Sequence, residues 1–268
     1  MDTEPGSYDT LAAVYDWLVP DSLLTPDAVV DAFGPVVDTL DAGARVLDCA
    51  AGTGQLAVGL ALRGHEVVAS DASVAMVERT RALAGAHGVD VPAVVCRWEA
   101  LGDQGWRDTF DAVFCVGNSI VHAGPAPRRR AALAAMAHVL REGGLLVVTS
   151  RNWELVRSQG SGIRVADRLI ERDGRQGLVI YDWLVPEHDE QALFVDVAVA
   201  RIAGDGAVTA NAERLECWPF TAEQLDTDLR AAGLTPQSSS YQDGAERYMV
   251  TARRRAVRST GAGAAAGG

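Results

Sequence analysis

The stretch RVLDCAAGTGQL, residues 45–56, decides the fold of this chain. An apolar run ends in Asp48, two glycines follow, and a helical pattern begins at Gln55. Gly52 and Gly54 allow the backbone to bend sharply and allow a ligand to approach with no Cβ in the way. The stretch therefore predicts a strand, a nucleoside-binding turn and a helix.

A second apolar run, residues 65–70 (HEVVAS), ends in Asp71. From this position a carboxylate can accept hydrogen bonds from both hydroxyls of a ribose. The spacing of Gly52, Gly54 and Ala57, followed by this acid, also describes a dinucleotide site. These residues alone do not distinguish a site for a single nucleoside from a dinucleotide site.

Strand and helix patterns alternate through the first 150 residues. Strands are predicted at 45–47, 66–70, 91–96, 110–116 and 145–149, and helices at 55–63, 74–86 and 125–140, with residues 142–144 as a cap before the fifth strand. This alternation predicts a Rossmann-like α/β fold with a doubly wound, mostly parallel sheet of seven strands. Ligands of such sheets bind beyond the carboxyl ends of the strands.

The pattern changes to period two after residue 153. Residues 178–185, 192–202 and 207–218 predict antiparallel hairpin strands, a small elaboration on the main sheet. Thr221 is expected to cap a helix that reaches Ala232. An antiparallel last strand is predicted at 247–252.

Three segments follow from these patterns. Residues 1–150 are predicted to form N-terminal helices and the cofactor-binding half of one domain. Residues 151–255 are predicted to complete it with an antiparallel insertion on the substrate side. Residues 256–268 lack apolar periodicity and are expected to be a disordered tail.

Composition excludes several classes of function. All 24 basic residues are arginine, so a phosphate-loop lysine and a Schiff-base lysine are both impossible. The net charge of −12 opposes a general nucleic-acid surface, and the histidines and the four cysteines lack metal-ligand spacing. Because no basic, apolar leader and no apolar run of about 20 residues is present, we expect a cytoplasmic protein outside the membrane.

Two helix-like patterns, at residues 8–18 and 26–40, are expected to lie over the mouth of the site. Tyr8, Tyr15 and Trp17 belong to the first pattern. Such aromatic side chains either pack a helix onto the core or contact a ligand. We assign Tyr8 and Tyr15 to the substrate and Trp17 to the cofactor.

Four motifs together resemble, in order, those of the class I S-adenosylmethionine-dependent methyltransferases. They are residues 46–54 (VLDCAAGTG), 68–76 (VASDASVAM), 110–116 (FDAVFCV) and 142–148 (EGGLLVV). Within that superfamily, residues 115–122 (CVGNSIVH) and 150–153 (SRNW) are similar to glycine N-methyltransferase and its glycine/sarcosine relatives. Those enzymes carry Gly-Asn-Ser-x-x-His and Arg-Asn-aromatic at matching places.

The resemblance implies S-adenosylmethionine as cofactor, with S-adenosylhomocysteine as its product, and a small-molecule acceptor. The expected cofactor contacts are Trp17, Asp48, Ala50, Gly52, Gly54, Asp71, Ala72, Met76, Trp98, Glu99, Val116 and His122. The expected acceptor contacts are Tyr8, Tyr15, Asn118, Arg151 and Trp153. Asn118, His122 and Arg151 are expected to position the reactants, with no dedicated catalytic group and no metal.

Individual roles follow from the same resemblance. It implies that Asp71 holds the ribose hydroxyls, that Trp98 lies on the adenine side and that Arg151 grips a substrate carboxylate. Two positions depart from the family pattern. Arg97 stands where a residue able to accept from the adenine amino group is usual, so Glu99 is expected to serve instead, and Trp153 replaces a tyrosine.

Methyl transfer from a sulfonium requires alignment and desolvation. The planar fork of arginine suits a carboxylate. Together with this arginine, the resemblance to glycine/sarcosine N-methyltransferases implies N-methylation of an amino acid or a related amine that bears a carboxylate.

Alternatives stay open at each level. Arg151 could instead form an ion pair at a strand end, Asn118 could stabilise a turn, and His122 could pack in a loop. The chain could be an O- or C-methyltransferase of specialised metabolism, a nicotinamide-dependent oxidoreductase or a cofactor-binding module without catalysis. An oligomer is compatible with the sequence.

Overall fold

The computed structural model describes residues 8–166, 168–172, 174–188 and 190–256. The strands are β1 Arg45–Asp48, β2 Glu66–Asp71, β3 Ala93–Val95, β4 Phe110–Cys115, β5 Leu140–Arg151, β6 Gly162–Val165, β7 Ile170–Arg172, β8 Arg175–Leu184, β9 Leu193–Ile202, β10 Val208–Cys217, β11 Leu234–Ser239 and β12 Arg247–Arg254. The α-helices are α1 Pro26–Ala32, α2 Gly34–Val37, α3 Gln55–Leu62, α4 Val74–His87, α5 Ala126–Val139, α6 Trp153–Gln159 and α7 Ala222–Ala231. Short 3-10 helices span Ala12–Trp17, Asp21–Leu23, Trp98–Gln104 and Ser119–Ala123.

The main sheet has seven strands in the order β11-β12-β5-β4-β1-β2-β3. Its neighbouring strands are parallel except at β12, which is antiparallel to both β5 and β11. The predicted Rossmann-like sheet with a reversed last strand is therefore confirmed. Strand order reverses at β1 and β4, which makes the carboxyl ends of these two strands the expected ligand cleft.

The central strands are buried on both faces because helices cover the sheet on each side. Leu47 and Val113 share one hydrophobic core with residues of α5 and α7. Val46 and Phe114, the adjacent residues, share the other core with residues of α1, α3 and α4. This near-continuous apolar character makes β1 and β4 a rigid base for the loops that follow them.

The smaller sheet is antiparallel, with the order β10-β9-β8-β6 and with β7 paired to β8. Along β9, Val195, Val197 and Val199 are buried while the residues between them are partly exposed. The predicted period-two strands are thus present. The buried valines and Trp183 of β8 belong to the same core as α6, so this sheet turns its inner face toward the main domain.

Several boundaries differ from the sequence prediction. Of the helix predicted at residues 8–18, only Ala12–Trp17 is helical, and it is a 3-10 helix rather than an α-helix. Helix α6, capped by the side chain of Asn152, was not predicted. Residues 142–144 do not cap α5 but lie within β5, where the register with β4 shifts between the Phe110–Leu140 and Ala112–Leu145 pairs. Residue 150, the predicted boundary between the first two segments of the domain, lies within β5. The division into these segments stays a prediction.

The predicted disordered tail lies outside the described residues except for Ala256.

Candidate active site

The glycine turn after β1 combines an open side with a tightly packed side. Gly52 and Gly54 have φ angles of 54° and 86°. A Cβ at Gly52 would meet no atom within 4 Å, whereas a Cβ at Gly54 would lie 2.8 Å from Cγ2 and 2.9 Å from Cα of Thr80. The Thr80 hydroxyl also donates to the Gly52 carbonyl at 3.0 Å. The turn is therefore held against α4 and leaves space above Gly52.

The carboxylate of Asp71 is fixed beside this turn at the end of β2. It accepts from the backbone N–H of Gly52 at 2.9 Å and from that of Ser73 at 2.9 Å. Burial raises the pKa of Asp71, and these backbone hydrogen bonds act in the opposite direction. Each carboxylate oxygen has further lone-pair capacity, so the group can still accept hydrogen bonds from a ligand.

Asp48, at the end of β1, is 1% exposed. Its Oδ1 accepts a long hydrogen bond of 3.4 Å from the N–H of Ala50. Burial raises the pKa of Asp48 to about 7, and the nearby charge of Asp71 adds to the rise. A cation bound beside these two carboxylates would favour the ionised form of Asp48.

Trp98 lies at the other side of the turn, beyond β3. Its indole N–H donates to the Cys49 carbonyl at 2.8 Å, which ties the ring to the end of β1. Met76 is buried in the first turn of α4, and Glu99 is exposed. Ala72 and Val116 directly follow β2 and β4. The assigned cofactor residues other than Trp17 and His122 thus lie on or beside β1, β2, β3, β4 and the loops and helix starts that follow them.

Trp17 is placed differently. It is 7% exposed, and its ring packs on Gly177 of β8, where a Cβ would lie 2.5 Å from Trp17 Cζ3. Trp17 also borders a cleft of about 470 Å³ with Gln55, Arg172 and Arg201. The packing role is therefore observed for Trp17, and its cofactor role stays a prediction.

A cavity of about 100 Å³ lies where the two sheets meet. The structure brings together around it all the residues assigned to the acceptor, together with His122: Tyr8, Tyr15, Asn118, His122, Arg151 and Trp153. Residues that sequence reasoning missed complete the wall, among them Tyr181, Trp183, Cys217 and Arg247. The period-two pattern could have indicated which side of each strand is buried, but not that this side reaches the cavity.

Asn118 connects the ends of two central strands. It adopts a left-handed backbone conformation with φ of 69°, and its Oδ1 accepts from the backbone N–H of Arg151 at 2.8 Å. The neighbouring Gly117 N–H donates to the Thr149 hydroxyl at 2.9 Å. The turn-stabilising role is therefore observed, and the same contact holds the backbone of Arg151 in position.

Tyr8 and His122 form a polar pair in the cavity wall. His122 Nδ1 lies 2.8 Å from the Glu216 carbonyl oxygen, and Nε2 lies 3.3 Å from the Tyr8 hydroxyl. Because a carbonyl only accepts, Nδ1 carries the proton and Nε2 accepts from Tyr8. Burial lowers the pKa of His122 and raises that of Tyr8, so both groups are neutral near pH 7.

Arg151 supplies a positive charge to the cavity. Its guanidinium carbon lies 5.4 Å from the ring centroid of Trp183, and it forms no ion pair with any of the residues that the structure describes. Burial lowers its pKa, but an arginine remains charged in proteins. The cation is therefore available to an anionic ligand.

The described ranges contain neither a metal-binding cluster nor a membrane-spanning helix. No group of three or more histidine, cysteine, aspartate or glutamate residues there could hold a metal ion. None of the helices in this part of the chain combines the length and apolar character that a bilayer crossing requires. All four cysteines are buried and free.

Part of the chain is similar to known methyltransferases. Residues 46–144 match the family of that description. The glycine/sarcosine N-methyltransferase of Aphanothece halophytica is 34% identical over 116 residues, which are 43% of this chain and 43% of that relative. The chain thus aligns with less than half the length of this relative.

Solved structures agree on the fold. The CcbJ methyltransferase of Streptomyces caelestis has a TM-score of 0.75 and 22% identity, over 94% of this chain and 99% of that one. CalS10, an amino pentose methyltransferase of Micromonospora echinaspora solved with S-adenosylmethionine, has a TM-score of 0.67 and 22% identity, over 94% and 99%. The resemblance to S-adenosylmethionine-dependent methyltransferases that the sequence indicated is confirmed by the family match over residues 46–144 and by the shared fold.

Proposed function

We propose that this chain, whose residues 46–144 match a methyltransferase domain, transfers a methyl group from S-adenosylmethionine to the amine of a small, carboxylate-bearing molecule. The observation that carries the proposal is the cavity where the two sheets meet, in which Arg151 has no ion-pair partner among the described residues and the Tyr8–His122 pair is neutral. The relative from Aphanothece halophytica acts on glycine and sarcosine, and both molecules carry an amine and a carboxylate.

The residues around the turn fit the cofactor. Space above Gly52 allows a nucleoside to approach the backbone, and Asp71 offers a fixed carboxylate to ribose hydroxyls. The buried acid Asp48 suits a ligand that carries positive charge. When bound, S-adenosylmethionine supplies a methyl group on a positively charged sulfur that an amine lone pair can displace.

The remaining residues orient the acceptor. Arg151 binds the carboxylate through its fork, and the walls formed by Trp153 and Trp183 exclude water. A neutral His122 does not repel an arriving amine or the positive charge that moves onto its nitrogen. The bond from nitrogen to carbon forms as the bond from carbon to sulfur breaks, so alignment provides most of the catalysis.

O-methylation is the second candidate. A hydroxyl acceptor must lose a proton, and the unprotonated Nε2 of His122 could receive it through the Tyr8 hydroxyl, 3.3 Å away. A hydroxy acid held by Arg151 would fit the same arrangement. Whether nitrogen or oxygen accepts the methyl group is therefore a question for experiment.

Calorimetric titration with S-adenosylhomocysteine, NADH and NADPH is the first experiment. We expect micromolar binding of S-adenosylhomocysteine and none of the nicotinamide cofactors. Methyl transfer from labelled S-adenosylmethionine to glycine, sarcosine, lactate and methylamine then distinguishes the acceptor classes. Binding of NADH without a response to S-adenosylhomocysteine would end the proposal.

Arg151→Lys tests the role of the carboxylate grip. This change keeps the charge but removes the bidentate fork, so the KM for an acceptor should rise by about one to two orders of magnitude, a loss of roughly 1.5 to 3 kcal/mol. Affinity for S-adenosylhomocysteine should barely move.

Arg253→Lys is the matched control for this variant. Arg253 lies near the far end of the neighbouring strand β12, where it donates to the Gly143 carbonyl at 2.7 Å, and its change should leave the KM unaltered. If the Arg151→Lys variant has the KM of the unmodified protein, Arg151 does not bind an acceptor carboxylate. The proposal of methyl transfer would not be affected by that result.

A further inference from the structure

A second arginine faces the same cavity as Arg151. Arg247 begins β12 and is paired in register directly opposite Arg151 of β5. Directly opposed residues of antiparallel strands project to the same side of the sheet, with Cα atoms about 4.5 to 5.5 Å apart. Both side chains line the cavity; Arg247 is exposed and Arg151 is partly buried.

The residues that the structure describes do not neutralise this pair. Like charges directly opposite on neighbouring strands are destabilising, and the charge of Arg247 follows burial as a cause of the lowered pKa of Arg151. Within the described residues, neither arginine forms an ion pair. Glu246 lies near enough to favour the charged form of Arg151, but it is exposed and bonds to neither guanidinium.

A third arginine increases the positive potential. The guanidinium carbon of Arg164 lies 5.3 Å from the ring centroid of Trp183, and that of Arg151 lies 5.4 Å from the same centroid. The chain has 36 acidic residues and only 24 arginines, so carboxylates are not scarce. Nevertheless, no described carboxylate pairs with these three cations.

We propose that the acceptor carries two anionic groups, one bound by Arg151 inside the cavity and the other by Arg247 at its mouth. This inference rests on the proposed function and narrows its substrate class from a carboxylate-bearing amine to a dianionic one. The second group is a carboxylate or a phosphate, since an arginine fork binds either through two parallel hydrogen bonds. A single carboxylate, by contrast, would satisfy Arg151 and leave Arg247 unpaired.

Binding of small anions tests the inference without methyl transfer. The probes are acetate, malonate, succinate and phosphonoacetate, titrated calorimetrically into the protein at low ionic strength, with and without saturating S-adenosylhomocysteine. We expect the best dianion to bind at least tenfold more tightly than acetate. Malonate and succinate report a second carboxylate, and phosphonoacetate reports a phosphate-like group.

Arg247→Gln should reduce that preference to about twofold or less. Arg253→Gln, on the same strand and the same face, should retain the full preference. Because Arg247 is exposed, the variant should fold, and its thermal unfolding midpoint checks this. Equal affinities for acetate and all three dianions, or a preference that survives Arg247→Gln, would overturn the inference.

The two proposals fail in different ways. Absence of S-adenosylhomocysteine binding removes the proposed function, whereas the anion titrations without that ligand still report on the arginine pair. Methyl transfer to glycine with no gain for aspartate, glutamate or phosphoserine removes the dianionic acceptor and leaves methyl transfer intact.

Discussion

Asp48 links the stability of the protein to the binding of its ligand. Burial raises its pKa to about 7, against an ordinary value of about 3.9 in an unfolded chain. The folded state therefore keeps a proton that the unfolded state releases. This contribution to stability is complete below about pH 4 and is lost as the pH rises through 7, a difference of as much as about 4 kcal/mol by pH 8.

Asp48→Asn should remove that pH dependence. Urea unfolding at pH 5 and pH 8 should show a smaller fall in the free energy of unfolding for the variant than for the unmodified protein. Because a bound cation favours the ionised carboxylate, binding of S-adenosylmethionine at pH 7 should also release protons, which calorimetry in buffers of different ionisation enthalpy detects. The exposed Asp31 serves as the control position, and a release that persists in Asp48→Asn would assign it to another group.

Within the unit formed by β1, the glycine turn and α3, one glycine matters for stability and the other for ligand binding. Gly54→Ala should destabilise the protein by about 2 to 4 kcal/mol, because its Cβ would lie within 2.9 Å of the Thr80 backbone and a left-handed residue costs about 1 kcal/mol more. Gly52→Ala meets no atom within 4 Å, so it should cost only about 1 kcal/mol.

The order of the two variants should reverse in ligand binding. The new methyl group at Gly52 enters the space assigned to the nucleoside, so affinity for S-adenosylhomocysteine should fall at least about tenfold, more than 1.4 kcal/mol. Chemical denaturation and calorimetry on both variants provide the comparison. Unchanged affinity in Gly52→Ala would move the nucleoside away from this turn.

Glu213 joins the N-terminal segment to the smaller sheet. From β10, its carboxylate accepts from the backbone N–H groups of Tyr8 at 2.6 Å, Thr10 at 3.1 Å and Leu11 at 3.2 Å. Tyr8 has a positive φ of 73°, a conformation that an L-residue keeps only when its surroundings hold it. The position of the Tyr8 hydroxyl in the cavity therefore depends on Glu213, a residue of the smaller sheet.

Glu213→Gln should loosen this connection, because an amide offers one acceptor oxygen where the carboxylate offers two. We expect faster hydrogen exchange at residues 8–18 and an acceptor KM raised about three- to tenfold, with little change in cofactor affinity. Asp196→Asn, which removes an exposed ion pair with Arg214 of the same sheet, is the control. Unchanged exchange at residues 8–18 would show that other contacts hold the segment.

Local patterns in the sequence were sufficient for much of this architecture. The turn with Gly52 and Gly54, the acids Asp48 and Asp71 that end two strands, and the valines of β9 all follow from spacing between near neighbours. Such signals depend on the conformation of a few consecutive residues, which the sequence determines directly. The short helix α6 escaped prediction because its seven residues are too few for a clear helical period.

The other part of the cavity wall, including Trp183 and Arg247, became visible only in three dimensions. Arg151 and Arg247 are 96 residues apart in the chain and become neighbours only through the register of β5 with β12. Trp17 packs against Gly177 instead of facing the cavity, because the smaller sheet folds onto the N-terminal segment. The raised pKa of Asp48 likewise comes from burial by elements distant in sequence. Charge, packing and burial depend on distances in space, and these are set by pairing between remote segments of the chain.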